Sequence, residues 1–147
     1  MGRFVTGGRA VTTTPSASIP LGSLYGAAAR QLKIVEIGVF NTTTTAVAVG
    51  LARLTTAGTV GSATTIAKLD IADAQTPTGV GYLTHSAGPT LTMLPYRAIL
   101  GAAVGAGFVW TFGGNGLIVP ATANNGVGIV IPDGTGQFCD FYFVWDE

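Results

Sequence analysis

A chain of 147 residues is one domain's worth of sequence, long enough to bury roughly 70% of its unfolded surface without metal or disulfide support. Seven basic and seven acidic residues cancel to zero, and charged residues make up 10% of the chain against about 25% in ordinary soluble proteins. This excludes the electrostatic footprint of a nucleic-acid or anionic-membrane binder, and it leaves a surface poorly protected against association, so copies of the same chain are expected partners.

Residues 1–30 stand apart. They mix small polar side chains, glycine pairs and two prolines with scattered Phe4, Val5, Val11 and Ile19, a composition that predicts an extended N-terminal arm. Arg3 and Arg9, with no acid before Ile19, make it locally basic. Thr12-Thr13-Thr14 favours an extended backbone. Such an arm either folds back as an edge strand of its own domain or pairs with another chain. Ser23–Arg30 reads as one or two helical turns capped by Ser23 and weakened by Gly26. Arg3 and Arg9 flank only Phe4 and Val5, so the apolar core of a secretion signal is not expected.

Residues 31–147 read as short strands separated by turn chemistry. Gln31–Asn41 is the first, with Val35, Ile37 and Val39 on one face and Ile34, Glu36 and Phe40 on the other. Thr42–Thr45 connects it to a returning strand, Ala46–Leu54, with Val47, Val49 and Leu51 inward. Thr64–Leu69 follows, then a loop or single helical turn over Asp70–Pro77, and a weaker strand over Gly79–His85. Tyr96–Val104 is rich in alanine, yet Gly101, Gly105 and Gly107 each cost a helix about 1 kcal/mol, so an extended segment is expected. Phe108–Phe112, Leu117–Val119, Val127–Ile131 and Phe138–Trp145 complete the series. Asn125-Gly126 and Asp133-Gly134 are hairpin-turn dipeptides. The pattern predicts an all-β, antiparallel sandwich or jelly roll, with Val35, Ile37, Val39, Val47, Val49, Leu51, Ile129, Ile131, Phe141 and Phe143 in its core.

The last run carries apolar residues on both faces. Cys139, Phe141, Phe143 and Trp145 share one side, and Phe138, Asp140, Tyr142 and Val144 the other. A second layer of the same chain or a neighbouring subunit must cover the latter face. From Ala98 to Pro132 no charged residue occurs, and the apolar part of that stretch is too short and too glycine-rich to span a membrane. Together these features predict a subunit interface about a threefold axis, anchored by Trp110, Phe138 and Tyr142.

Little chemistry is on offer. His85 is the sole histidine, too few for a cupin-type metal site, and no Gly-x-Ser-x-Gly elbow or triad surrounds it. Asp70 and Asp73 lack the further oxygen ligands of a calcium loop. Gly101, Gly105 and Gly107 lack the spacing of a phosphate cradle. Cys139 is the lone cysteine and reads as a buried hydrophobe. Trp110, Trp145, Tyr25, Tyr82, Tyr96 and Tyr142 supply either a sugar platform or, as strand aromatics more often do, core and interface anchors. No enzyme, cofactor or metal is expected.

The stretches LKIVEIGVFNTTTTAVAVGLARLTTAG, GAGFVWTFGGNGLIVPATANNGVGIVI and CDFYFVWDE resemble small jelly-roll accessory proteins of tailed-bacteriophage virions. These are similar to tumour-necrosis-factor-type sandwiches, and commonly form trimers that decorate or cement a capsid. The resemblance covers Gln31–Glu147 and implies a domain over 31–147 beyond an arm over 1–30. It implies a structural virion protein made in the host cytoplasm, located on the capsid surface and bound between major capsid protein subunits. In that setting Arg3, Phe4, Val5, Arg9 and Val11 become the expected capsid-contact arm. A tail-associated or host-receptor module, carbohydrate-binding included, and a non-viral ligand-binding sandwich stay open on the same residues.

Overall fold

The structure is a computed structural model describing residues 1–9, 13–134 and 136–147. The described residues hold no helix and eleven strands in two antiparallel sheets. Sheet 1 contains β1 (Arg3–Gly8), β3 (Leu32–Asn41), β5 (Ile66–Lys68), β8 (Gly107–Thr111), β9 (Leu117–Val119) and β11 (Cys139–Asp146). Its order is β5-β1-β11-β3-β8, with β9 also paired to β3. Sheet 2 contains β2 (Gly22–Tyr25), β4 (Val47–Leu54), β6 (Val80–Leu83), β7 (Leu91–Leu100) and β10 (Gly126–Val130), in the order β6-β2-β10-β4-β7. The pairing is nested, like one long hairpin wrapped over itself: β1 pairs with β11, β2 with β10, β3 with β8, and β4 with β7.

The inner faces meet in one apolar core that includes Phe4, Leu24, Ile37, Val49, Ile129, Phe143 and Trp145. The expected inward face of the last strand is correct, since Cys139, Phe141, Phe143 and Trp145 are all buried. Of the ten core residues read from alternation, nine are buried and Val35 is not. The ladder between β3 and β11 pairs Glu36 with Val144 but Ile34 with Trp145, leaving Val35 as the extra residue of a bulge. Beyond the bulge the faces exchange, so Ile34 and Leu32 enter the core instead.

Two further expectations change. The helical turns over Ser23–Arg30 are not formed, because Gly22–Tyr25 is a strand between β6 and β10. Leu24 enters the inter-sheet core while Tyr25 joins a small cluster on the outer face, and burial on both sides outweighs a weak helical preference. The extended N-terminal residues return to their own domain, but not as the edge strand expected. Residues 1–30 supply β1 and β2, both interior strands of their sheets. Phe4 is 0% exposed and packs on Trp145 with ring centroids 5.7 Å apart. Gly2 and Glu147 exchange backbone hydrogen bonds of 2.8 and 3.0 Å, tying the two ends of the chain together.

Candidate functional site

The two long sides of the sandwich differ. On one, β5 and β6 are the sheet edges, and the chain itself joins them. The Leu83 amide donates to the Ser62 carbonyl and the Thr64 amide to the Gly81 carbonyl, both at 2.9 Å, so residues 62–64 pair with β6 before the chain becomes β5 on the other sheet. The Thr6 hydroxyl meets that of Thr64 at 2.6 Å and donates to the Thr65 carbonyl at 2.8 Å.

On the other side, β7 and β8 are the edges. Among the described residues β7 pairs only with β4, and β8 only with β3. The chain between them, residues 101–106, is a turn that covers neither. Met93, Tyr96, Ile99, Val104, Phe108 and Val109 are exposed here, with Ile99 at 80% and Phe108 at 43%. Leu94, Ala98 and Phe112 pack on the core from this side, so the apolar interior runs out to the surface. Pro95 sits in β7 where three residues, Leu94 to Tyr96, stand opposite Leu51, a place for a residue without an amide donor on an edge strand. The side's one charged side chain in β7, Arg97, pairs with Asp133 of the same chain.

The outer face of sheet 1 is a second part-exposed surface, on which Phe40, Tyr142, Val5 and Val144 stand among Glu36 and the Arg9–Asp140 pair. Tyr142 lies across Gly38 of the next strand, where a Cβ would come within 2.2 Å of its ring. Its ring and that of Phe40 are inclined by 21°, with centroids 6.2 Å apart. Its hydroxyl donates to Glu36 Oε1 at 2.6 Å, and burial together with that bond pushes its pKa up to about 12. Val5 and Val144 lie opposite one another on this face, both half-buried.

The candidate interface residues therefore separate. Tyr142 is half-exposed on the outer face, and Phe138 is half-buried just before β11. Trp110 is directed inward, in the chain's own core against Phe108 (ring centroids 5.1 Å), because it pairs with the inward Ile37. It is not available as an anchor. The residues expected in a capsid-contact arm are placed as follows. Phe4 is core. Arg3 grips Asp146 with bonds of 2.6 and 2.9 Å, and Arg9 grips Asp140 with two of 2.6 Å. Each guanidinium is paired within the chain, with about half of its side chain still exposed (53% and 47%). Val11 lies outside the described residues. What sequence reasoning missed was the exposed row on β7; the signal was there in Met93, Tyr96 and Ile99, which break strict alternation at a proline.

The residues weighed for chemistry have structural work. Asp70 Oδ1 accepts from the Ala72 amide at 2.9 Å and Asp73 Oδ1 from the Gln75 amide at 2.8 Å, each closing its own turn. Among the described residues no group of three or more His, Cys, Asp or Glu side chains is placed to hold a metal. Cys139 is buried, and burial pushes its thiol up to about 11, keeping it protonated at neutral pH. Among the described residues no helix is long and apolar enough to cross a membrane. No known protein family, curated protein or solved structure matches the chain.

Proposed function

We propose that this chain is a structural, non-enzymatic jelly-roll subunit that works by assembly, and that it decorates the capsid of a tailed bacteriophage. The single observation carrying the reading is the β7–β8 side, where the core opens onto a charge-poor, apolar edge of both sheets. The nested pairing of first strands with last supports the jelly-roll assignment, since that fold is a hairpin rolled into two Greek-key sheets. Self-association follows from the same edge. An apolar surface whose one strand charge is already paired has no use for a charged partner, and fits another neutral apolar surface.

The β7–β8 side and the Tyr142 face of sheet 1 are two different surfaces, both part-exposed and with apolar side chains, the charges of the second being paired within the chain (Arg9 with Asp140) or hydrogen-bonded (Glu36 to Tyr142). Joining one to the other between copies is a head-to-tail contact, which closes into a ring when the rotation permits. We assign the chain a homotrimer on this basis, with the major capsid protein as the further partner that the sequence resemblance implies. Native mass measurement at micromolar concentration should give three copies, and a stable monomer would overturn the assembly reading. A density map of intact virions tests the remainder: trimers seated between major capsid subunits are the expected result, and the same chain found only on the tail would displace capsid decoration.

A further inference from the structure

Part of the outer face of sheet 2 is covered by two short segments, residues 55–61 and 84–90, which bond to one another. The Thr59 amide donates to the Ala87 carbonyl and the Ser86 amide to the Thr59 carbonyl, each at 3.0 Å. The Thr55 amide donates to the Thr90 carbonyl at 3.0 Å, and the Thr90 amide to Thr56 Oγ1 at 2.7 Å. Beneath them lies a small cluster separate from the main core, built on Tyr25, Ala52, Leu54 and Val130 with Ala57, Val60 and Tyr82 against it. These segments consist of threonine, alanine, glycine, serine and a few apolar residues, with one ionisable side chain between them: His85.

His85 is 0% exposed. Its Nε2 lies 2.8 Å from the hydroxyl of Ser23, itself fully buried on β2, and its ring is 5.9 Å from that of Tyr25. Its Nδ1 makes no hydrogen bond among the described residues. We propose that segments 55–61 and 84–90 form an acid-releasable cover over sheet 2, latched by His85. A neutral imidazole needs one acceptor for its single N–H and is tolerated here; an imidazolium has two N–H groups, and the second faces only the Ala57 backbone, which is not placed for a full hydrogen bond. The surroundings offer no compensating charge. β2 presents Ser23 and Tyr25, β6 presents Tyr82, and residues 55–61 and the rest of 84–90 present no ionisable group. Burial pushes the Tyr25 hydroxyl up from its ordinary value, so it supplies no charge to the imidazolium.

The direction of the response follows. Burial lowers the affinity of His85 for a proton below the ordinary value of 6.5, with the Ala57 backbone offsetting part of this although it is not placed for a full hydrogen bond with Nδ1. The open cover, with a hydrated imidazole, binds the proton more tightly than the closed one. Closure is therefore fully favoured above 6.5 and is lost as pH falls below it, through the closed-state value. Release hydrates the imidazolium and uncovers Tyr25 and the outer surface of β2.

Hydrogen exchange on the full chain, corrected for the intrinsic pH dependence of the amides, tests this. Protection at Thr59, Ser86 and Thr90 should fall by up to about tenfold per pH unit below the window's upper end, while the β3–β11 amides hold. In His85→Gln that local fall should vanish. Equal pH profiles in the two proteins, or a loss spread evenly over all strands, would overturn the latch. Should the variant fail to fold, the wild-type imidazole decides by its own titration in magnetic resonance. A midpoint below 6.5 with parallel shifts at residues 55–61 is the expected result, and a midpoint at or above 6.5 rejects the idea.

Discussion

The side closed by β5 and β6 and the side left open by β7 and β8 use the same materials, short strands with few charges, to opposite ends. On the closed side a single run of chain, residues 62–68, passes from one sheet to the other, and threonine hydroxyls and backbone amides find partners along it. On the open side the connecting turn loops away, and the residues at the edge stay exposed. An edge strand left with unpaired backbone groups and apolar side chains is a liability in a monomer and an asset in an assembly. What separates the two is where the connection runs, not what the strands are made of.

The largest expected effect lies on the closed side. Phe4→Ala, in β1 beside β5, removes a fully buried ring that packs on Trp145, and should cost about 3–5 kcal/mol of folding stability, read as a lowered denaturant midpoint. Phe108→Ala, the same truncation at the open edge, should cost the folded monomer far less, since that ring is already 43% exposed. Equal losses would mean that the open edge is as much a core as the closed one.

Next in size is a pair of glycine substitutions. A Cβ at Gly81 would fall 2.4 Å from Thr64 Oγ1 and 2.6 Å from Thr6 Cγ2, within the stitch between the sheets. Gly81→Val should destabilise by about 1–3 kcal/mol through overpacking. At Gly113, beside the open edge, a Cβ meets nothing within 4 Å, and Gly113→Ala should change stability by no more than about 0.5 kcal/mol. Thermal denaturation of both variants reads the difference directly.

A smaller effect concerns acid. The Arg3 guanidinium, through its hydrogen bonds and then its charge, holds the Asp146 carboxyl below the ordinary value of 3.8. A carboxyl lowered in the folded state contributes stability above that value and loses it as pH falls through the folded one. Arg3→Gln should flatten this acid limb of the stability profile, by about 1 kcal/mol or less because half of the guanidinium is in water. The smallest effect on folding belongs to Ile99→Asp. At a position 80% exposed it should leave monomer stability within about 0.5 kcal/mol, yet reduce the native mass to one copy. If the mass stays at three, the open edge is not the assembly surface.

Strand positions and the inward face of β11 were legible because alternation and turn dipeptides are local signals. Leu117–Val119 is a strand with the expected bounds, and Val47, Val49, Leu51 and Phe143 are buried as the period of two requires. Val35 was misplaced because a bulge is a one-residue slip in the ladder with β11, visible along the chain only as the three-residue step from Ile34 to Ile37 between inward positions. Trp110 was legible as an aromatic anchor but not as an anchor of its own core, because its facing depends on its pairing with Ile37.

By itself, the sequence determined the all-β character, the turns between strands and the scarcity of charge, since these rest on side chains and their immediate neighbours. The tertiary structure decided what lies far along the chain. It set residues 3–8 beside residues 141–146, turned Arg3 and Arg9 from free cations into partners of Asp146 and Asp140, and buried His85 between its own loop and the outer face of β2. Pairing across such separations depends on which edges the folded sheets present to one another, and burial depends on what the rest of the chain then places on top. Neither quantity is carried by a window of adjacent residues. For that reason the chain's closed and open sides became distinguishable only once its strands were paired.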